Sequence, residues 1–366
     1  MPTEEDALSL SIARRTLLAA LGSSVFAPAL AATQPLKVAF IYPGPVGEAG
    51  WTFAHDAARR AVEDHFVSRV VVTAVPDVRE GADAERVLRD LVAQGNSLVF
   101  ATSFGYMDSV LKVAADHPAV RFEHATGFKT APNVRTYDTR SYEPAYLAGL
   151  VAGGTTRSGL LGVVGALPAP AVLNGINAFT LGARAMNPEA RVRVVWINAW
   201  FDPPRETDAA VSLLNQGADV LMLTTDSPAA LQVAERQGKR GFGLSSDMGR
   251  FAPKAHLGSI VNIWVPYCIK AVGDVLGDRW ATGHAWWGMK EGAVDLVGVP
   301  DDVPAAVRDR VATARSGLRD GSLAVWQGPL LDNADKLVLP QGQMADDAFL
   351  RQMNFYVKGV EGRVPG

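Results

Sequence analysis

Cysteine is nearly absent from this chain of 366 residues: Cys268 stands alone. One thiol cannot close an internal disulfide, and it leaves no C-x-x-C pair for redox chemistry or zinc. Cys268 also lies far from the N-terminus, so it is not the cysteine of a lipid anchor. An excess of one charge is missing too. The 35 Lys and Arg stand against 38 Asp and Glu, for a net charge of −3. No basic patch of the kind that nucleic acid requires is present. No apolar run reaches the roughly 20 residues of a membrane span. Catalytic signatures are also lacking: the chain contains no G-x-S-x-G elbow, no H-E-x-x-H and no Walker A sequence. Gly241-Phe242-Gly243 lacks the third glycine of a dinucleotide fingerprint. The six histidines, His55, His65, His117, His124, His256 and His284, are scattered without the spacing of metal ligands. His55-Asp56 is a conceivable catalytic pair, but neighbours on a helix diverge. No metal and no cofactor are therefore expected.

What is present begins with an export segment over residues 1–31. Arg14-Arg15 precede an apolar stretch from Leu17 to Leu30, and Ala29-Leu30-Ala31 offers small residues for cleavage. The twin arginine points to the Tat route; an ordinary Sec signal with two arginines is the alternative. Either route places the mature protein in the periplasm, free rather than tethered.

Two stretches about 120 residues apart read as copies. QGNSLVFATSFGYMDSVLKVA (Gln94 to Ala114) and QGADVLMLTTDSPAALQVA (Gln216 to Ala234) share a Gln-Gly turn, an apolar run, a Thr step and an amphipathic segment. Around them strands alternate with helices. Strands are expected at 36–42, 70–75, 98–102 and 119–124, with helices over 51–66, 83–94 and 106–116. The second half repeats the alternation from Tyr142, with strands at 160–166, 191–199, 218–223 and 240–244. The extended segment 256–263 is expected to lead back to the first lobe, helix 266–277 to lie there, and helices to form over 303–316 and 346–356. A duplicated βα pattern builds two similar α/β lobes, and a cleft between lobes is where small ligands bind.

Open parallel sheets hold ligands beyond the C-terminal ends of their strands. Trp51, Phe104, Tyr106, Trp200 and Phe201 all follow predicted strands, as do Asp226 and Asp247. Aromatic faces suit a flat ligand, and a carboxylate, which only accepts, selects N–H donors. Each residue also has a plainer reading. A Trp at a strand end often packs the core, and Asp226-Ser227-Pro228 has the form of a helix N-cap.

At these residues the chain resembles a known family. LKVAFIYPGPVGEAGWTFAHDAARRA, EGADAERVLRDLVAQGNSLVFATSFGYMD, FEHATGFKTAPNV and NAWFDPPRETDAA are similar to motifs of the BMP (basic membrane protein, PnrA-like) substrate-binding proteins of ABC transporters. The resemblance runs from about Lys37 through nearly the whole mature chain. It implies an α/β chain with a type I periplasmic-binding fold: two Rossmann-like lobes with parallel sheets, a multi-segment hinge and a purine or nucleoside in the cleft. Residues 36–140 with about 264–284 would form the N-terminal lobe, 141–263 the C-terminal lobe, and 285–366 a tail packed on the lobes. It further implies stacking aromatics at Trp51 and Trp200, acids at Asp226 and Asp247, and a ribose-side lysine at Lys290. Phe104 and Tyr106 complete the expected ligand-binding set. The chain departs from the family where Trp51 stands for Phe and Thr52 for Asn, and the lipobox cysteine is missing. The larger indole takes up pocket volume, so a free, adenine-like base is expected ahead of a ribonucleoside.

Three functions fit this reading. The first is a periplasmic capture protein that closes on a purine and delivers it to an ABC permease. The second is a nucleoside-hydrolysing enzyme with Asp226 and Asp247 as its acids. The third is a ligand sensor that passes closure to a signalling partner.

Overall fold

A computed structural model describes residues 34–365. The expected export segment lies outside these described residues.

The first sheet is built from β1 (Leu36–Ile41), β2 (Val70–Val75), β3 (Leu98–Ala101), β4 (Arg121–Ala125) and β5 (Val134–Thr139), all parallel. Helices α1 (Gly50–Phe66), α2 (Ala82–Ala93) and α3 (Met107–Asp116) make the crossovers. The sequence explains the order. LKVAFI is apolar throughout, and Val38, Ala39, Phe40 and Ile41 are fully buried, as a central strand with helices on both faces demands. Strand β2 buries only Val70 and leaves Val71 and Ala74 exposed, as befits its place at the sheet edge. On α2 the buried Ala84, Val87, Leu88 and Leu91 recur at helical spacing and form the stripe that meets the sheet.

The second sheet repeats the first. It holds β6 (Leu160–Gly165), β7 (Arg191–Trp196), β8 (Val220–Leu223), β9 (Arg240–Ser245) and β10 (His256–Asn262). Its helices are α4 (Tyr142–Thr155), α5 (Pro170–Met186), α6 (Pro203–Asn215) and α7 (Ala229–Arg236). The two strand orders, β2-β1-β3-β4-β5 and β7-β6-β8-β9-β10, are the same. The two similar stretches of sequence occupy equivalent places, from the end of α2 through β3 to α3 and from the end of α6 through β8 to α7.

Each sheet takes a sixth strand from the C-terminal part. β11 (Gly283–Trp287) pairs parallel to β5, and β12 (Val294–Val297) pairs antiparallel to β10. The chain thus passes between the lobes three times: after β5, after β10 and after β11. The passes are tied together. Asn262 Nδ2 donates to Thr139 Oγ1 at 2.6 Å and to Ser141 Oγ at 2.9 Å. The amide of Arg140 donates to Trp287 O at 2.8 Å, and that of Ile263 to Ala293 O at 2.8 Å.

The structure corrects four expectations. Segment 256–263 does not itself join the first lobe: β10 pairs in the second sheet, and the return is made by α8 (Val265–Leu276). Helix α8 buries Tyr267, Cys268, Ala271 and Val272 against Val38, Ala54, Ala58 and Val62. Strands β5 and β11 had no counterpart in the sequence reading, and β11 runs across residue 284, where the tail was expected to begin. Finally, the helix expected over 346–356 shrinks to a short α10 (Asp347–Arg351) after α9 (Ala305–Asp320). From α10 onwards the chain packs against α5: Asn174 Nδ2 donates to Leu350 O at 3.0 Å and Asn177 Nδ2 to Phe355 O at 2.8 Å. A small hairpin, β13 (Leu330–Leu331) with β14 (Leu337–Leu339), precedes it.

Among the described residues no helix is long and apolar enough to cross a membrane. No group of His, Cys, Asp and Glu among them could hold a metal ion.

Candidate functional site

The C-terminal ends of both sheets face the same cleft. There the loop after β1 reaches across to the second lobe at the start of α1. Gly50 has φ +89°, and a Cβ on it would collide with the carbonyl oxygen of Asp226. Only glycine both tolerates that backbone and permits that approach. The contact is sealed by two hydrogen bonds between lobes: Gly50 N–H donates to Ser246 Oγ at 2.9 Å, and Trp51 N–H to Asp226 Oδ1 at 2.9 Å. Outside them, Arg250 pairs with Glu48 at 3.0 Å.

Trp51 is held from several sides. Its indole N–H donates to Thr102 O at 2.6 Å, and its ring meets Trp264 edge-on at 5.1 Å. His55, one turn along α1, is fully buried and packs on both, 4.6 Å from Trp51 and 4.5 Å from Trp264. Burial drives the imidazole pKa down to about 3, so the ring is neutral. Its Nδ1 lies 3.1 Å from Trp51 O, an acceptor, so Nδ1 carries the proton and Nε2 accepts from the Tyr137 hydroxyl at 3.1 Å.

Trp51 and Trp200 enter one cavity from opposite lobes, a space of about 1060 Å³ including its mouth. Phe104, Trp286, Tyr142 and Leu244 add apolar wall. Among the described residues, the only ionisable acids and bases lining it are Asp138 and Asp226, with no Lys, Arg or His. Most other polar side chains there are already occupied. Ser103 Oγ donates to Glu80 at 2.8 Å, Thr126 Oγ1 to Ala125 O at 2.6 Å and Asn262 to Thr139 and Ser141. Three buried polar atoms of lining residues lack a protein partner: Trp200 Nε1, Trp286 Nε1 and Asn174 Oδ1.

The structure thus gathers Trp51, Phe104, Trp200 and Asp226 in the cavity, and it places Tyr106, Asp247 and Lys290 elsewhere. Tyr106 is fully buried in the first lobe and donates its hydroxyl to Val78 O at 2.6 Å. Asp247 leaves 64% of its side chain exposed and accepts from Gly249 N–H at 2.9 Å. Lys290 is exposed in the turn between β11 and β12. The N-cap reading of Asp226 is also settled. Ser227 Oγ accepts from Ala229 N–H at 3.2 Å and donates to Glu206 at 2.6 Å, so Asp226 is left to Trp51. Asp138, Asn174 and Trp286 were not foreseen. Asp138 and Trp286 sit on β5 and β11, which had no counterpart in the sequence reading. An acid next to the end of VRTYDT was the available signal.

Burial pushes the carboxyl pKa of both Asp138 and Asp226 up to about 7; near Asp226, Glu206 adds to the rise while the Trp51 hydrogen bond opposes it. A carboxyl that binds its proton more tightly when folded stabilises the fold fully below its ordinary value of 3.8. That contribution is lost as pH rises towards about 7. The buried His55 and His124, lowered to about 3 and about 4, act in the opposite sense, losing stability as pH falls below 6.5. A difference experiment isolates one group. The melting temperature of the wild type minus that of Asp138→Asn should be largest near pH 4 and shrink as pH approaches about 8. A difference that stays constant over this range would contradict the burial assigned to Asp138.

Comparison with known proteins fits this architecture. The family described as ABC transporter substrate-binding protein PnrA-like matches residues 36–316. A purine-binding protein of Brucella abortus is 43% identical over 95% of this chain and 99% of its own length. A Haloferax volcanii protein, TsgA13, named provisionally as an ABC transporter glucose-binding protein, is 35% identical over 91% of this chain and 82% of its own. Among solved structures, an ABC transporter solute-binding protein of Conexibacter woesei superposes with a TM-score of 0.65. It is 23% identical and covers 79% of this chain and 98% of its own, a likeness of fold. The fold is that of type I solute-binding proteins, whose members bind ligands rather than transform them. The chain belongs to the Bmp family of PnrA-like ABC transporter substrate-binding proteins.

Proposed function

We propose that this protein captures a purine base, adenine-like, in the periplasm and presents it to the permease of an ABC importer. One observation carries the reading: a cavity between the lobes has an indole from each lobe, two carboxylates and no cation. Indole faces hold a flat ring, and stacking contributes roughly 1–3 kcal/mol per base. The carboxylates reward N–H donors and penalise phosphate or carboxylate ligands. Asp226 has a double part, since one oxygen already accepts from Trp51 N–H across the cleft. A ligand bonded to its other oxygen would link binding to closure. The Brucella relative, a purine-binding protein, supports the same reading.

A monosaccharide is the second reading, favoured by the name of the Haloferax relative. A sugar presents a ring of hydroxyls that each need partners once buried. Here most polar side chains in the wall are already bonded to protein groups, which favours the base.

Calorimetric titration of the ligand-stripped protein with adenine, hypoxanthine, guanine, adenosine and glucose tests the proposal. At least one free base should bind in the micromolar range or tighter. Glucose binding without purine binding would overturn it.

A further inference from the structure

The purine cavity has two distinct ends. Asp226 also walls a crevice between the 44–52 loop and the second lobe. Asp138 also walls a different crevice, between the 126–128 loop and residues 350–352. These crevices share no lining residue, so the two carboxylates mark opposite ends of the cavity.

At its end Asp138 uses one oxygen, Oδ1, to accept from Thr139 N–H at 2.7 Å. It forms no ion pair among the described residues. Two cations lie close by, and one of them, Arg351, lines the same crevice. Arg140 pairs with Asp347 at 2.8 Å and lies 4.8 Å from the Trp286 ring, and Arg351 lies 5.1 Å from the same ring. Trp286 and Asn174, which line the same end, bring an unpartnered indole N–H and an unpartnered amide oxygen. The amide is oriented by its own bond, because Asn174 Nδ2 donates to Leu350 O. This end therefore offers the second oxygen of Asp138 as an acceptor, while the Trp286 N–H and the Asn174 amide oxygen lie buried in the wall beside it. The ring N–H of a purine's imidazole is the complement of that oxygen.

We propose that Asp138 is a second ligand-reading carboxylate, at the end of the cavity opposite Asp226, and that it selects purines whose imidazole ring keeps a free N–H. The inference rests on the purine reading of the cleft and adds the edge that is read. A substituent on N9 removes that N–H and leaves the buried carboxylate without a donor. Sites built around a hydrogen bond reject analogues that lack it by factors far larger than a methyl group commands in an apolar pocket. Discrimination against a ribonucleoside then follows from a missing proton as well as from bulk.

The test compares adenine with 9-methyladenine, whose methyl group is too small to probe a ribose pocket. The wild type should bind adenine more tightly by about 100-fold or more. Asp138→Leu, close to Asp in size but without an acceptor, should narrow that ratio at least about tenfold. Asp226→Ala should weaken both ligands and leave their ratio intact. If Asp138→Leu does not fold, the wild-type ratio and the milder Asp138→Asn decide. Equal binding of the two ligands by the wild type would overturn the inference, as would adenosine binding as tightly as adenine. An unchanged ratio in a folded Asp138→Leu would do the same. In those cases the purine reading survives. Failure of the folded wild type to bind any purine would overturn both.

Discussion

Trp51→Ala is expected to weaken adenine binding by roughly 5- to 150-fold, the range set by 1–3 kcal/mol of stacking per base. The indole belongs to a preformed platform rather than a mobile side chain. Thr102 O holds its N–H, Trp264 meets it edge-on and neutral His55 packs beneath the same turn of α1. Orientation is thus fixed before the ligand arrives, and little entropy is lost on stacking. Trp51→Phe supplies the control, because it keeps an aromatic face and drops the N–H and some area. Calorimetry on both variants, with far-UV dichroism to show that they are folded, checks the prediction. Binding by the alanine variant at wild-type strength would mean that Trp51 packs the lobe and does not hold the ligand.

Gly50→Ala should impair closure more than folding. At φ +89° an alanine carries a cost on the order of 1–2 kcal/mol, and its Cβ meets the Asp226 carbonyl oxygen of the other lobe. Within α1 and its own sheet that collision has no counterpart, so separating the lobes relieves it. Separation also gives up the bonds from Gly50 to Ser246 and from Trp51 to Asp226. Binding should therefore fall by about tenfold or more, since each 1.4 kcal/mol is a factor of ten. The ligand-free melting temperature should fall by only several degrees, the effect of the backbone cost alone. Small-angle scattering with saturating adenine would show the variant more open than the wild type. An equally compact liganded variant would refute the role given to this contact.

Much of the fold was legible because its signals are local. LKVAFI is apolar at every position, as only a strand covered on both faces is, and α2 shows its buried stripe plainly. The repeat at Gln94 and Gln216 pointed to two similar lobes, and the two sheets share one strand order. Strand β5 was harder to see, because VRTYDT has a single aliphatic residue and no polar–apolar alternation, yet Arg135 and Thr136 are buried. Strand β11 lies in a glycine-, histidine- and tryptophan-rich stretch and is defined by pairing with β5, almost 150 residues earlier.

The sequence by itself determined the alternation of strands and helices, the duplication, the lack of catalytic motifs and the aromatics and acids at strand ends. Tertiary structure alone decided which of those residues share a cavity. Asp226 and Asp247 both follow second-lobe strands, yet one meets the backbone of Trp51 and the other faces solvent. Tyr106 and Phe104 are two residues apart, yet one completes the first lobe's core and the other lines the cleft. The physical reason is that periodicity reports how a segment lies on its own sheet. The cleft is made by two sheets brought together through three crossings, and no local pattern encodes the register of one lobe against the other.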